Sequence, residues 1–301
     1  MEKYSYHTPV LLSPAVEALV TDPDGTYVDV TFGGGGHSRK ILSLLSSRGR
    51  LFAFDQDEDA QNNALDDERF TLIQSNFSEL KRYLKFYGCT QVDGILGDFG
   101  VSSHQFDASN RGFSTRFEGP LDMRMDQSLS LKASDVVHQY AYEDLLRLFK
   151  VYGEVKGAAK IASLIDAARE EEKITSTQDL VSIIRPHIPE RFFNKVMAQV
   201  FQSLRIEVNQ ELEVLKQFLL QVPEVLSTGG RLVCISYHSL EDRLVKRFIR
   251  EGVFEGEAEQ DFFGNRKCPL KKVGQLVVPD AQEIKNNGRA RSAKMRIAEK
   301  R

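Results

Sequence analysis

The sequence predicts an α/β fold in which a parallel sheet carries helices on both faces. Segments typical of strands and helices alternate through the first third of the chain, which is the pattern of a doubly wound parallel sheet. The run Val28–Phe32 stops at four consecutive glycines, and a helical stretch follows from Ser38. Residues 106–196 carry helical spacing without a convincing strand, which predicts an inserted helical domain.

The first third supplies the core of the predicted sheet. A short helix opens at Ser13-Pro14, because proline is favoured at the first helical position. The apolar runs predict strands at Tyr27–Thr31, Leu51–Asp55, Phe70–Gln74 and Val92–Asp98, and helices between them at Ser38–Ser46, Asp57–Leu65 and Glu79–Tyr87. Ligands bind beyond the carboxyl ends of such strands, so we expect Thr31, Asp55 and Asp98 to share one edge.

The rest of the sequence predicts the inserted helical domain and then further strands and helices of the α/β domain. Helical spacing recurs at Tyr142–Val151, Lys156–Glu172, Thr177–Arg185 and Arg191–Leu204. An amphipathic helix follows at Gln210–Leu226, for which Gly229-Gly230 is a stop signal. A buried strand at Arg231–Ser236, a helix at Leu240–Arg250, and a strand pair at Leu276–Val278 and Lys294–Ala298 come next. We therefore predict a discontinuous domain of residues 1–105 and 197–301 around an inserted domain of residues 106–196.

The glycine segment Gly33–Gly36 predicts a site for a nucleoside cofactor. Glycine lets a backbone approach a ligand closely, and a following helix adds free N–H groups. Asp55 ends the next strand about 20 residues on, where a carboxylate binds ribose hydroxyls. Ser38 replaces the third glycine of the dinucleotide pattern and His37 crowds a pyrophosphate, which favours S-adenosylmethionine. The glycines alone are also compatible with a flexible loop.

Two further strand ends could carry chemistry. Asp98, at the end of the fourth predicted strand, could accept hydrogen bonds from an exocyclic amino group and so free its lone pair for methylation. Turn formation is the alternative role of this aspartate. His238, after the later strand, could move a proton, contact RNA or begin a helix together with Ser239 and Asp242.

Composition constrains the class of protein. The chain is 41% apolar and 28% charged with a net charge of −3, as in ordinary globular proteins. From Gly264 to Arg301, eleven Lys or Arg against three acidic residues give 11 − 3 = +8, which suits either a phosphate-binding surface or a solvated one. Three widely spaced cysteines indicate neither disulfides nor a metal centre. With no membrane-length apolar run, we expect a soluble, cytoplasmic protein.

Ordered motifs along nearly the whole chain resemble the RsmH (MraW) family of bacterial methyltransferases that act on small-subunit ribosomal RNA. The motifs are His7–Leu12, Asp29–Ser38, Asp98–Ser103, Arg111–Ser114, Gly119–Asp126, Phe201–Asn209, Ser236–Arg243 and Arg289–Lys294. The resemblance implies a class I (Rossmann-like) methyltransferase sheet with an inserted helical, substrate-recognising domain. It also implies S-adenosylmethionine-dependent N4-methylation of one cytidine in the decoding region of 16S rRNA.

The resemblance also implies site residues. The family's cofactor contacts fall on Gly35, Gly36, His37, Asp55, Phe77, Asp98 and Gln105 of this sequence. Asp55 would hold the ribose, Phe77 would offer an apolar face to the adenine, and Asp98 would face the methyl-transfer end, with His238 as a second catalytic candidate. Gly97 and Phe99 beside Asp98, and Gly288 before Arg289, depart from the family pattern without removing a chemical group.

Alternatives remain at this point. A nicotinamide-dependent oxidoreductase would use the same sheet, although Ser38 argues against it. A non-catalytic RNA-binding or ribosome assembly factor could keep a vestigial nucleoside pocket, although intact Asp55 and Asp98 argue against it. The expected partner is 16S rRNA or the small ribosomal subunit, with no membrane, and the protein could be a monomer or a homodimer.

Overall fold

A computed structural model describes residues 9–258, 260, 262, 264 and 266–301 of the chain. The described residues form two compact units. The first comprises those up to Gly100 together with Leu212–Arg301, and the second comprises Val101–Glu211. The first motif of the sequence, which begins at His7, therefore lies partly outside the described residues.

The first unit contains a seven-stranded sheet. Its strands are β1 (Thr26–Asp29), β2 (Arg50–Asp55), β3 (Phe70–Gln74), β4 (Val92–Asp98), β5 (Leu226–Ser236), β6 (Leu270–Val277) and β7 (Lys294–Lys300), in the spatial order β3-β2-β1-β4-β5-β7-β6. β1 to β5 pair in parallel, and β7 runs antiparallel to both neighbours. The chain order reverses direction at β1, between β2 and β4, which is where ligands bind in doubly wound sheets.

Helices cover this sheet. They are α1 (Leu12–Leu19), α2 (Gly36–Leu42), α3 (Leu80–Phe86), α10 (Glu211–Val225), α11 (Ser239–Glu251) and α12 (Ala281–Asn286). Strand residues such as Phe54 and Ile95 are fully buried beneath them. The second unit has its own helices, which are α4 (Ser103–Asp107), α5 (Ala133–Gln139), α6 (Tyr142–Val151), α7 (Ala158–Glu171), α8 (Thr177–Ile184) and α9 (Glu190–Asn209). None of the helices in the described part of the chain combines the length and apolarity that crossing a membrane requires.

The predicted role of Gly229-Gly230 as a helix stop is wrong. The α10 helix ends at Val225, and both glycines lie inside β5. The pairing with β4 moves from Val92–Leu226 to Gly94–Arg231, so the glycines belong to an irregular segment of the strand. Gly229 has φ +82°, a conformation that side chains other than glycine rarely adopt, which explains why the bulge needs this residue type.

The segment after β2 also differs from the prediction. Instead of the α-helix expected at Asp57–Leu65, a 3₁₀ helix spans Glu58–Asn63. The Asp57 side chain accepts a hydrogen bond from the Asp59 N–H and begins this helix. Short polar side chains that bond to the nearby backbone favour tight turns over α-helix, which accounts for the difference.

The second unit contains helices and no strand, and its core is a continuous apolar cluster from Phe113 to Val208. Buried Asn209 joins two of the sequence motifs, because its side chain accepts from the Met125 N–H and donates to the Met123 carbonyl oxygen. The unit ends at Glu211 rather than at residue 196, since the long helix α9 buries residues such as Val200 and Leu204 in this core.

Candidate functional site

Asp55 closes β2 and receives two backbone hydrogen bonds. The Gly33 N–H donates to its Oδ2 at 2.7 Å, and the Asp57 N–H donates to its Oδ1 at 2.8 Å. The carboxylate is therefore attached to the glycine segment that follows β1. Each carboxylate oxygen has two lone pairs, so acceptor capacity remains for two hydroxyl groups. This donor set suits the vicinal hydroxyls of a ribose.

The glycine segment adopts a conformation that requires glycine. Gly33 and Gly35 have φ angles of +51° and +74°, in the left-handed region. Gly36, the first residue of α2, lies against Pro9: a Cβ atom placed on it would be 2.1 Å from the proline Cγ. The positive φ angles and the close approach of Pro9 explain why these positions require glycine. The hydrogen bond from the Gly33 N–H holds the loop beside Asp55.

His37 connects the glycine segment to β4. The buried ring donates from Nε2 to the Val10 carbonyl oxygen at 3.2 Å, because a carbonyl can only accept. Its Nδ1 lies 3.7 Å from Asp98 Oδ2. Burial lowers the pKa of His37, and the nearby Asp98 carboxylate opposes that effect. The ring is thus a buried, fixed neighbour of Asp98.

Asp98, the last residue of β4, is held at both its backbone and its side chain. Its N–H donates to Thr31 Oγ1 at 2.7 Å, which attaches it to the end of β1. The Tyr237 hydroxyl donates to Asp98 Oδ1, also at 2.7 Å. Thr31, Asp55 and Asp98 therefore occupy one sheet edge, where sequence reasoning places them.

Three carboxylates at this edge titrate well above the usual range for aspartate. Burial raises the pKa of Asp29, Asp55 and Asp98 to about 6 in each case. Hydrogen bonds oppose the shift: Ser38 Oγ donates to Asp29 Oδ2 at 2.7 Å. The negative charge of Asp29 raises the pKa of the other two further. The edge therefore concentrates negative charge where a cationic ligand would relieve repulsion.

Phe77 begins a short 3₁₀ turn after β3 and is partly buried. Its ring centroid lies 5.8 Å from that of Phe99 and 5.5 Å from that of Phe218. Aromatic packing of this kind fixes the orientation of the ring. Its expected contact with an adenine remains a prediction.

His238 is the N-cap residue of α11. The Glu241 N–H faces its Nδ1 at 3.4 Å, and the Glu241 carboxylate lies 3.1 Å from its Nε2. The helix therefore begins with His238 and Glu241 rather than with Ser239 and Asp242, the pair the sequence suggested. A catalytic role for His238 stays a prediction.

Gln105 lies in the second unit, and it is buried. It forms a reciprocal capping box with Ser102 at the start of α4: its Oε1 accepts from the Ser102 N–H, and its own N–H donates to the Ser102 hydroxyl. Its expected contact with the cofactor stays a prediction.

Sequence reasoning missed Tyr237 and Asp29 as members of the site. A buried aspartate inside a β-branched run is unusual, so Asp29 could have been singled out from the strand pattern. Tyr237 gave no such signal, because only the fold brings the end of β5 next to the end of β4.

The basic C-terminal segment is folded rather than a free tail. Arg296 forms a bidentate ion pair with Asp242 at 2.7 and 3.1 Å. Lys294 lies 3.6 Å from the same carboxylate, and Lys271 pairs with Glu299. Arg291 stays exposed on the 3₁₀ turn Gly288–Ser292. Part of the positive charge counted from the sequence is therefore neutralised locally.

Comparison with known proteins extends these observations. The model of the MraW methylase family matches residues 4–301. The ribosomal RNA small subunit methyltransferase H of Flavobacterium johnsoniae is 59% identical over 98% of both chains. The same enzyme of Bacteroides fragilis is 53% identical over 100% of this chain and 99% of its own length. A solved rRNA methylase from Streptococcus thermophilus, at 14% identity, covers 95% of this chain and 91% of its own with a TM-score of 0.36, too distant to support an argument.

The family match and the full-length relatives confirm the resemblance that the motifs indicated. The strand order, with β7 antiparallel in an otherwise parallel sheet, is that of the expected class I methyltransferase fold. S-adenosylmethionine is the cofactor of this methylase family. The glycine segment, the Asp55 carboxylate and the acidic sheet edge are the parts of the structure that fit this cofactor. The chain belongs to the MraW methylase family.

Proposed function

We propose that this protein transfers a methyl group from S-adenosylmethionine to the N4 atom of one cytidine in the decoding region of 16S rRNA. The observation that carries the proposal is the proximity of His37 Nδ1 and Asp98 Oδ2, at 3.7 Å. This proximity places the glycine segment, which suits the cofactor, next to the Asp98 carboxylate, which suits the amino group of a cytosine. The named activity of the relatives supports the choice of substrate.

Asp55 and the glycine segment would hold the cofactor. The Asp55 carboxylate, fixed by the Gly33 and Asp57 amides, would accept hydrogen bonds from the ribose hydroxyls. When bound, S-adenosylmethionine supplies an electrophilic methyl group on a positively charged sulfur. The negative charge of Asp29, Asp55 and Asp98 at this edge favours a cation, because opposite charges attract strongly where burial lowers the effective dielectric constant.

Asp98 would prepare the target amino group. The lone pair of a cytosine amino nitrogen is delocalised into the ring, which makes it a poor nucleophile. An ionised carboxylate that accepts a hydrogen bond from the N–H raises electron density on the nitrogen and positions it. The carboxylate must be ionised for this role, since a protonated one would donate instead.

The second unit would recognise RNA, and we expect the protein to act in the cytoplasm on RNA of the small ribosomal subunit. Exposed basic side chains in this unit include Arg191 and Lys195 on α9. The guanidinium of Arg191 lies 4.7 Å from the centre of the half-exposed Phe192 ring. Cations for phosphates beside an aromatic face for bases are a common combination in RNA-binding surfaces.

Mass mapping of 16S rRNA tests the proposal. Cells that lack the gene should lose one methyl group on a decoding-region cytidine, and a plasmid copy of the wild-type gene should restore it. A matched Asp98→Ala copy should not restore it. An identical methylation map with and without the gene would refute the function. Transfer of label from S-adenosylmethionine to immature small subunits separates an enzyme from a non-catalytic binding protein, because a binding protein leaves no label.

A further inference from the structure

Tyr237 links three elements at the carboxyl edge of the first unit. It is the first residue after β5, and its N–H donates to Glu241 Oε2 at 2.9 Å, which fixes the start of α11. Its hydroxyl donates to Asp98 Oδ1 at 2.7 Å across to β4. The ring packs against the apolar cluster that contains Ile235 and Met295. The hydroxyl is therefore presented to Asp98 by a rigid frame.

The hydrogen bond from the Tyr237 hydroxyl occupies Oδ1 of Asp98 and leaves Oδ2 available to accept from a substrate. Oδ2 faces His37 Nδ1 at 3.7 Å, which exceeds hydrogen-bond distance. Within the part of the chain that the structure describes, Tyr237 is thus the side chain that directly orients this carboxylate. Rotation of the carboxylate about its Cβ–Cγ bond would break the bond to Oδ1.

We propose that Tyr237 is a positioning residue for methyl transfer, whose hydroxyl fixes the Asp98 carboxylate and keeps it in the ionised form that accepts a hydrogen bond from the target amino group. This inference rests on the proposed function. Tyr237 acts through Asp98, and it needs no contact with substrate or cofactor to do so.

The surroundings of Asp98 give the expected direction of the effect. Burial raises the pKa of this carboxyl, as do the negative charges of Asp29 on β1 and Glu241 on α11. His37 on α2 and the Tyr237 hydroxyl lower it. Loss of the hydroxyl removes one of the two opposing contributions. The pKa of Asp98 should therefore rise, and a larger fraction of the protein should carry a protonated Asp98 near pH 7.

Hydrogen bonds to charged groups are strong enough to shift such a pKa by about one to two units. Tyr237→Phe keeps the ring and deletes the hydroxyl. We expect the acid limb of its kcat profile to move to higher pH by this amount, with most activity recovered above the shifted midpoint. Binding of S-adenosylmethionine, measured by calorimetry at high pH, should stay within about twofold, since Asp55 and the glycine segment are intact.

Tyr27→Phe is the matched control. It also deletes a buried hydroxyl, which donates to the Asp22 carbonyl oxygen at 2.8 Å. It does not touch Asp98, so its acid limb should coincide with that of the wild type. An acid limb that is the same in Tyr237→Phe as in Tyr27→Phe, or a loss of rate that is equal at every pH, would overturn the proposal.

A titration without cofactor or RNA separates this inference from the proposed function. The full-length protein is labelled with ¹³C at aspartate carboxyl carbons, and the Asp98 signal is assigned by its loss in Asp98→Asn. The midpoint of that signal should rise in Tyr237→Phe and stay in Tyr27→Phe. An unchanged midpoint refutes the role of Tyr237 whatever the activity. A raised midpoint in a protein that does not methylate 16S rRNA would refute the proposed function instead.

Discussion

Asp29 should make the folded protein less stable as the pH rises from about 4 to about 7. The carboxyl is fully buried, and burial raises its pKa from 3.8 to about 6. A raised carboxyl pKa means that the folded state disfavours the ionised form. The group is neutral in both states below its unfolded pKa, so its unfavourable contribution is absent there, and that contribution grows until the pH passes the folded pKa.

The magnitude follows from the shift. A difference of about two pKa units corresponds to roughly 3 kcal/mol in the free energy of unfolding. Asp29→Asn removes the titration and keeps one acceptor oxygen for the Thr31 N–H, which donates to Oδ1 in the wild type. Its NH2 group then faces Ser38 Oγ, a hydroxyl that can accept as well as donate. Relative to the wild type, the free energy of unfolding of this variant should therefore rise by about 3 kcal/mol between pH 4 and pH 8.

Urea denaturation of wild type and variant at both pH values measures this double difference. Comparison at each pH removes the titration of every other carboxyl that the two proteins share. Asp24→Asn is the control, because Asp24 is partly exposed, pairs with Arg48, and has a lowered pKa. Its free energy of unfolding relative to the wild type should not rise between pH 4 and pH 8, because a lowered pKa gives an effect of the opposite sign. A difference for Asp29→Asn that does not change with pH would show that the buried carboxyl does not carry this cost.

The remaining predictions concern ligand, turnover and RNA. Asp55→Ala should weaken S-adenosylmethionine binding, measured by calorimetry, by roughly 10- to 100-fold. The substitution removes the acceptor for the ribose hydroxyls and leaves the N–H groups of Gly33 and Asp57 unpaired. Unchanged affinity would show that the ribose binds elsewhere. Asp98→Ala should lower kcat by roughly 10²–10³ in a methyl-transfer assay, and unaltered turnover would assign that role to another group. Replacing Arg289, Arg291 and Lys294 by alanine should weaken RNA binding and flatten its salt dependence; an unaltered slope in filter binding would mean a merely solvated surface.

The strand-forming runs could be located from the sequence because their pattern is local. Phe70–Gln74 and Val92–Asp98 have the same bounds in prediction and structure. Residues that require a special backbone, such as Gly35, were also visible, since few other residues tolerate that φ angle. The bulge at Gly229-Gly230 was misjudged because strand pairing with β4 overrode the local helix-stop signal. The 3₁₀ helix after β2 was misjudged because the Asp57 side chain caps a tight turn there, which the helical spacing does not reveal.

The sequence by itself determined the α/β alternation, the glycine segment and the carboxylates at strand ends, since each depends on spacing along the chain. Only the tertiary structure decided that Tyr237 reaches Asp98 and that His37 stands between the glycine segment and β4. Tyr237 and Asp98 are 139 residues apart, and no local rule relates them. Their contact exists because β4 and β5 pair in parallel and end at the same edge, which burial of the sheet's apolar faces enforces.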